Sequence, residues 1–171
     1  MRSAVSAAAK VSLRPFAPTH APLLAEWLKR PHVARWHPDA DARVAWALNP
    51  PQGAAQALIV LGARPIGHLR WASVDRGTLD ALGLFDIPAG SVDIDILIGE
   101  TDCVGRGYGP AALVALVETL RADESIPVLG LSPSIANIAA QRAYAKAGFR
   151  KTREYDAPGF GRCAPMVRPR A

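Results

Sequence analysis

An apolar run that ends in glycines and then gives way to a helix-period pattern constrains this chain more than any other feature. Val92-Asp93-Ile94-Asp95-Ile96-Leu97-Ile98 alternates and then becomes continuously apolar, as a central strand does. Val104-Gly105-Arg106-Gly107-Tyr108-Gly109 breaks that pattern, and Ala111, Leu113, Val114, Leu116, Val117 and Leu120 follow at the spacing of a long helix. A strand, a glycine loop and a helix in that order indicate an α/β sheet. Glycines let successive backbone N–H groups converge on a bound group, and a helix starting near Pro110 adds the positive end of its dipole. A pyrophosphate is the natural occupant of such a loop. No Gly-Lys-Ser/Thr follows, so this is not a P-loop, and a dinucleotide site is only loosely served by Asp123 or Glu124.

The remaining chain supplies further elements around this centre. Residues 11–15 read as an opening strand, and Thr19 caps a helix carrying Leu23, Leu24, Trp27 and Leu28, which Pro31 ends. A second helix is expected from Asp39 to Leu48, where Asn49-Pro50-Pro51 stops it. Ala57–Leu61 and Ile66–Val74 read as a hairpin, and residues 75–90 as a loop with room for one helical turn. Val128–Leu131 is a short apolar strand, Asn137 to Ala147 a helix, and Phe149–Tyr155 and Ala164–Arg168 the last strands. The expectation is one domain over 11–171 behind a flexible stretch 1–10.

Composition narrows the function classes. In 171 residues, half of them hydrophobic, a packed core is expected, and no apolar run approaches membrane-spanning length. Cys103 and Cys163 lack metal or redox spacing, and so do His20, His32, His37 and His68, so no metal is expected. The residues read as those of a cytoplasmic protein, monomer or homodimer, that engages neither membrane nor nucleic acid. A net charge of +5 permits phosphate binding, but residues 75–102 hold seven acidic residues against Arg76 alone. That acidic band suits a small cation better than a nucleic acid.

A second motif follows the glycine loop. In Asn137-Ile138-Ala139-Ala140-Gln141-Arg142-Ala143-Tyr144-Ala145-Lys146-Ala147-Gly148-Phe149, the positions Asn137, Ala140 and Tyr144 share one helical face. Small alanines admit something narrow against that helix, and the phenol can donate a proton to a leaving group; a core-facing tyrosine is the plainer alternative.

Together the two motifs resemble the GCN5-related N-acetyltransferase (GNAT) family over roughly Val92 to Phe149. The resemblance implies a single-domain fold with a mixed twisted sheet of six to seven strands and helices on both faces. It implies acetyl-CoA as co-substrate, bound by Ile96, Leu97 and Ile98 along its pantetheine arm, by Val104, Gly105, Arg106, Gly107, Tyr108 and Gly109 at its pyrophosphate, and with help from Asn137. Tyr144 would protonate the departing thiolate. Val104 stands where the family's loop opens with Gln or Arg.

Leu13-Arg14-Pro15, Glu26-Trp27-Leu28, Arg35-Trp36, Pro65-Ile66-Gly67, Ile94-Asp95 and Ser132-Pro133-Ser134 are similar to the aminoglycoside 6′-N-acetyltransferases within that family. This narrower resemblance implies a primary amine of a small polycation as acceptor. Trp36, Asp80, Asp93, Asp95 and Ser132 would line its pocket, although Ser132 stands where close members carry aspartate. Asp95 is expected to take the proton of the attacking amine, with Asp93 on the same strand face as a helper. Acceptors such as a siderophore precursor, a polyamine or a protein N-terminus stay open at this point, as does a non-catalytic acyl-CoA sensor.

Overall fold

A computed structural model of the chain describes residues 10–170. The expected flexible stretch 1–10 falls, Lys10 apart, outside them. Along the described residues run β1 (Val11–Pro15), α1 (Ala21–Lys29), α2 (Pro31–Ala34), α3 (Ala40–Leu48), β2 (Ala55–Leu61), β3 (Arg64–Ser73), α4 (Arg76–Ala81) and β4 (Val92–Ile98). There follow α5 (Tyr108–Leu120), β5 (Val128–Leu131), α6 (Ile138–Lys146), β6 (Arg150–Lys151), β7 (Tyr155–Ala157), β8 (Gly161–Cys163) and β9 (Met166–Pro169). The main sheet has seven strands in the order β1-β2-β3-β4-β5-β9-β6, with β7 and β8 forming a separate hairpin.

Strand alternation sorts the apolar residues onto two faces. Ile59, Leu69, Val92, Ile94 and Leu129 pack with Leu113, Leu116 and Val117 of α5. Leu58, Val60 and Leu97 point the other way, against Leu24, Trp27 and Leu28 of α1 and Ala47 of α3. Helices therefore cover both faces, which is the expected α/β architecture. The second face needs close approach at Gly99. A Cβ there would lie 2.1 Å from Cγ of Trp27, so only hydrogen fits.

One pairing positions the site. β4 and β5 are parallel neighbours, but their register covers only Val92 with Leu129 and Asp93 with Gly130. Beyond Asp93 the two strands part, and the backbone of β4 from Ile94 onward has no strand on that side.

Four expectations need correction. Thr19 does not cap α1: it lies inside a 3-10 turn, Pro18–His20, and His20 stands at the N-cap of α1 with no side-chain cap. Residues 75–90 contain α4, because Asp75 caps it by accepting from the Thr78 N–H at 2.7 Å. Pro31 ends α1 but also opens α2, since a first-turn proline has no N–H to lose. The expected strand Phe149–Tyr155 is two: β6 joins the main sheet through β9, whereas β7 pairs only with β8.

Candidate active site

The parting of β4 from β5 opens a cleft of about 870 Å³, walled by both strands, the glycine loop, α6 and residues of α2, α3 and the β7–β8 hairpin. Of the expected site residues, all but Asp80 and Arg106 line it. Asp80 lies on the exposed side of α4, paired with Arg76 at 2.7 Å, and is not part of the substrate pocket. Arg106 is exposed on the loop and contributes nothing to the cleft wall.

The glycine loop forms one end. Gly105 and Gly107 have φ of 71° and 83°, a region that L side chains rarely enter, and Gly107 caps α5. No protein atom lies within 4 Å of where a Cβ would stand at either position, and among the described residues neither glycine N–H donates to a backbone carbonyl. α5 starts at Tyr108, two residues before the expected Pro110, and this brings its dipole directly onto the loop. Such a concavity of free amides fits a pyrophosphate.

Asn137 and Tyr144 come from α6. The Asn137 Oδ1 accepts from the Ala140 N–H at 3.1 Å and caps the helix, which leaves its side-chain N–H₂ for the cleft. Tyr144 is half-buried. Burial, and then the charge of Asp95, push its phenol above the ordinary value, so it stays protonated and able to donate.

The acidic residues behave differently from the sequence expectation. Of the seven between 75 and 102, six are committed to partners within the described residues. Asp75 is a helix cap, Asp80 pairs with Arg76, and Asp86 pairs with Arg153 at 2.8 Å. Glu100 accepts from the Trp27 indole and from Arg30 and Arg64, and Asp102 pairs with Arg64 at 2.9 Å. Asp95 is bound by Arg43 of α3 and by Arg70 of β3, the latter at 3.0 Å. The band is internally neutralised and does not form an acidic surface.

Two guanidiniums hold the Asp95 carboxylate. Burial alone would raise its pKa, but Arg43, His37 and Arg70 together outweigh burial and hold it at about 2. A carboxylate so stabilised is a poor proton acceptor near neutral pH. Asp93 has no ion pair or hydrogen bond among the described residues. Its side chain is exposed within the cleft; the crowding of cleft atoms around it and the Asp95 charge raise its pKa above the ordinary carboxylate value, against the opposing pull of Arg70. The shared strand face does push one carboxylate up, but that one is Asp93.

Trp36 lines the acceptor side, with the Arg35 guanidinium 4.7 Å above its ring. Ser132 faces Tyr155, whose phenol its hydroxyl partly offsets against burial. The sequence reading missed Arg43, Arg70, Tyr155 and Phe160, all of which line the cleft, and His37, named from its place beside Trp36, lines it too. Only Arg70 carried a signal, since it sits on a strand of alternating pattern whose pairing with β4 puts it opposite Asp95. Among the described residues no group of three or more His, Cys, Asp or Glu is placed to hold a metal, and no helix is long and apolar enough to cross a membrane.

A cleft between parted parallel strands, closed at one end by an amide cradle and bearing a protonated phenol, is built for acyl transfer from a long phosphate-bearing thioester. The acetyltransferase (GNAT) domain profile matches residues 17–157, and the chain belongs to that family. The chain is an acetyl-CoA-dependent N-acetyltransferase. It is 29% identical over 138 residues to the aminoglycoside N(6′)-acetyltransferase type 1 of Klebsiella pneumoniae, covering 75% of this chain and 68% of the relative. It also superimposes on the aminoglycoside acetyltransferase AAC(6′)-Ib. The coenzyme A complex gives a TM-score of 0.82 at 27% identity, covering 94% of this chain and 95% of the other. The complex with coenzyme A and kanamycin gives 0.81 at 28%, covering 94% and 95%.

Proposed function

We propose that this enzyme acetylates a primary amine of an aminoglycoside, at the 6′ position, in the cytoplasm. The observation that carries this reading is the likeness, over 94% of the chain, to the structure of AAC(6′)-Ib in complex with coenzyme A and kanamycin. Acetyl-CoA supplies an activated acetyl thioester. The chain's own residues then do the rest. Amides of Gly105 and Gly107 and the start of α5 hold the pyrophosphate, and Ile96, Leu97 and Ile98 present the unpaired backbone of β4 to the pantetheine arm. An N–H of that strand near Ile96–Leu97 faces the carbonyl oxygen as it gains charge. Asn137 steadies the arm from α6, and Tyr144 gives its proton to the sulfur. Trp36, Asp93 and Ser132 border the acceptor, and Asp95 holds Arg43 and Arg70 in place beside it.

The test is acetyl-CoA-dependent thiol release against aminoglycosides with and without a free 6′-amine, alongside polyamines, hydroxylamine-type siderophore precursors and short peptides. Turnover confined to the 6′-amino compounds is the expected result. Turnover on another amine alone would remove the acceptor assignment, and coenzyme A binding without any turnover would favour a sensor.

A further inference from the structure

The acceptor must reach the thioester as a free amine, yet an alkyl ammonium holds its proton at neutral pH. A group in the cleft has to receive that proton, and it must be an anion with an unused lone pair facing the acceptor. The cleft wall contains two carboxylates, Asp93 and Asp95. The sheet register decides between them. Asp95 lies opposite Arg70 on β3, and it is also met by Arg43 from α3, so its charge is shared between two guanidiniums. Asp93 lies opposite Ala72 on β3 and Gly130 on β5. Neither of those residues has a side chain that could reach a carboxylate. Asp93 therefore stands free between two small neighbours, at the last paired position before β4 and β5 part.

We propose that Asp93, and not Asp95, is the catalytic residue that docks the acceptor ammonium and takes its proton. This rests on the acceptor reading above. Asp93 takes one proton from the ammonium, and the freed lone pair forms the N–C bond at the acetyl carbonyl. The C–S bond breaks, and the sulfur takes the Tyr144 proton. The second nitrogen proton restores the phenol, and Asp93 returns its own to water. Asp95 acts as a positioning residue, fixing the two arginines and lending the negative field that keeps Asp93 basic.

The charged and titratable groups that bear on Asp93 come from each element around it. Asp95 on its own strand raises its basicity, Arg70 from β3 lowers it, and the Tyr155 phenol from β7 is its neutral neighbour. Arg43 from α3 and His37, beyond α2, act on it through Asp95. The Asp95 charge holds the Asp93 pKa above the ordinary carboxylate value, so the accepting anion is the form that is lost as pH falls through that raised pKa.

The experiment compares Asp93→Asn, Asp93→Glu and Asp95→Asn in the pH dependence of kcat/KM for kanamycin, with calorimetric coenzyme A binding as the check on fold. Asp93→Asn should lower kcat/KM about a hundredfold and abolish the acidic limb, and Asp93→Glu should restore part of both. Asp95→Asn should keep an acidic limb, moved to lower pH, and raise KM more than it lowers kcat. An acidic limb that survives Asp93→Asn, or one that vanishes only in Asp95→Asn, would overturn the proposal. If the wild-type enzyme binds coenzyme A but does not acetylate kanamycin, the acceptor reading fails separately. Carboxyl ¹³C titration of the coenzyme A complex then decides, with a raised Asp93 pKa supporting its role and an ordinary carboxylate value overturning it.

Discussion

Arg70 lies directly across the β3–β4 ladder from Asp95, and its guanidinium meets that carboxylate at 3.0 Å while stacking 4.7 Å from the Trp46 ring centroid. Arg43 closes the other side. The charge of Asp95 is thus spent inside the protein and is not offered to a ligand. This triad has consequences for stability and for acceptor charge.

Asp95→Asn leaves two half-buried guanidiniums competing for water. With about a quarter of the Asp95 side chain exposed, the cost should be about 2 kcal/mol, which for a domain of this size lowers Tm by about 4–8 °C. The folded pKa of Asp95 lies below its ordinary value, so its contribution is fully present above about pH 4 and is lost as pH falls toward 2. Thermal unfolding of wild type and Asp95→Asn across pH 2–7 should therefore converge at the acid end. A constant gap would mean that the carboxylate's charge does not stabilise the fold.

Arg70→Gln should release part of the Asp95 charge into the cleft. A multiply charged aminoglycoside would then bind more tightly, and KM should fall about threefold to tenfold at low salt, with the gain shrinking as ionic strength rises. KM for coenzyme A should not move, because the amide cradle lies at the other end of the cleft. An unchanged acceptor KM at low salt would show that the acceptor does not feel Asp95.

What was readable in advance follows the range of the interaction. β4 and β5 were legible as Val92–Ile98 and Val128–Leu131 because strand alternation and glycine breaks are local. Asn137 was legible as the start of α6 for the same reason, since its cap reaches only to Ala140. The Asp75 cap to Thr78 is equally local, and that spacing could have revealed α4. The fate of the acidic band was not legible. Asp95 finds Arg43 at a separation of 52 residues, and Asp86 finds Arg153 at 67. Counting charges in one segment says nothing about arginines that the sheet brings to it. The choice between Asp93 and Asp95 needed register, because Ala72, Gly130 and Arg70 are distinguished only by which residue each faces.

The glycine loop gives a backbone test. At Gly105 and Gly107 an added methyl meets no protein atom, so the harm in Gly105→Ala or Gly107→Ala comes from φ and from intrusion on the ligand. Each should cost about 1–2 kcal/mol in local strain and weaken coenzyme A binding at least tenfold in calorimetry.

Tyr144 separates the departure of the thiol from every other step. Its phenol is held protonated by burial and by the nearby Asp95 charge, so the rate should not fall on the alkaline side below about pH 10. Tyr144→Phe keeps the ring's packing on α6 and removes only the donor. It should lower kcat about a hundredfold and leave coenzyme A affinity unchanged. The loss should shrink when the acetyl group is carried on a more acidic thiol, because a better leaving group needs less help from a proton. A loss that is the same for both donors would place Tyr144 in binding or packing, since only a proton donor to sulfur responds to the pKa of the sulfur it protonates.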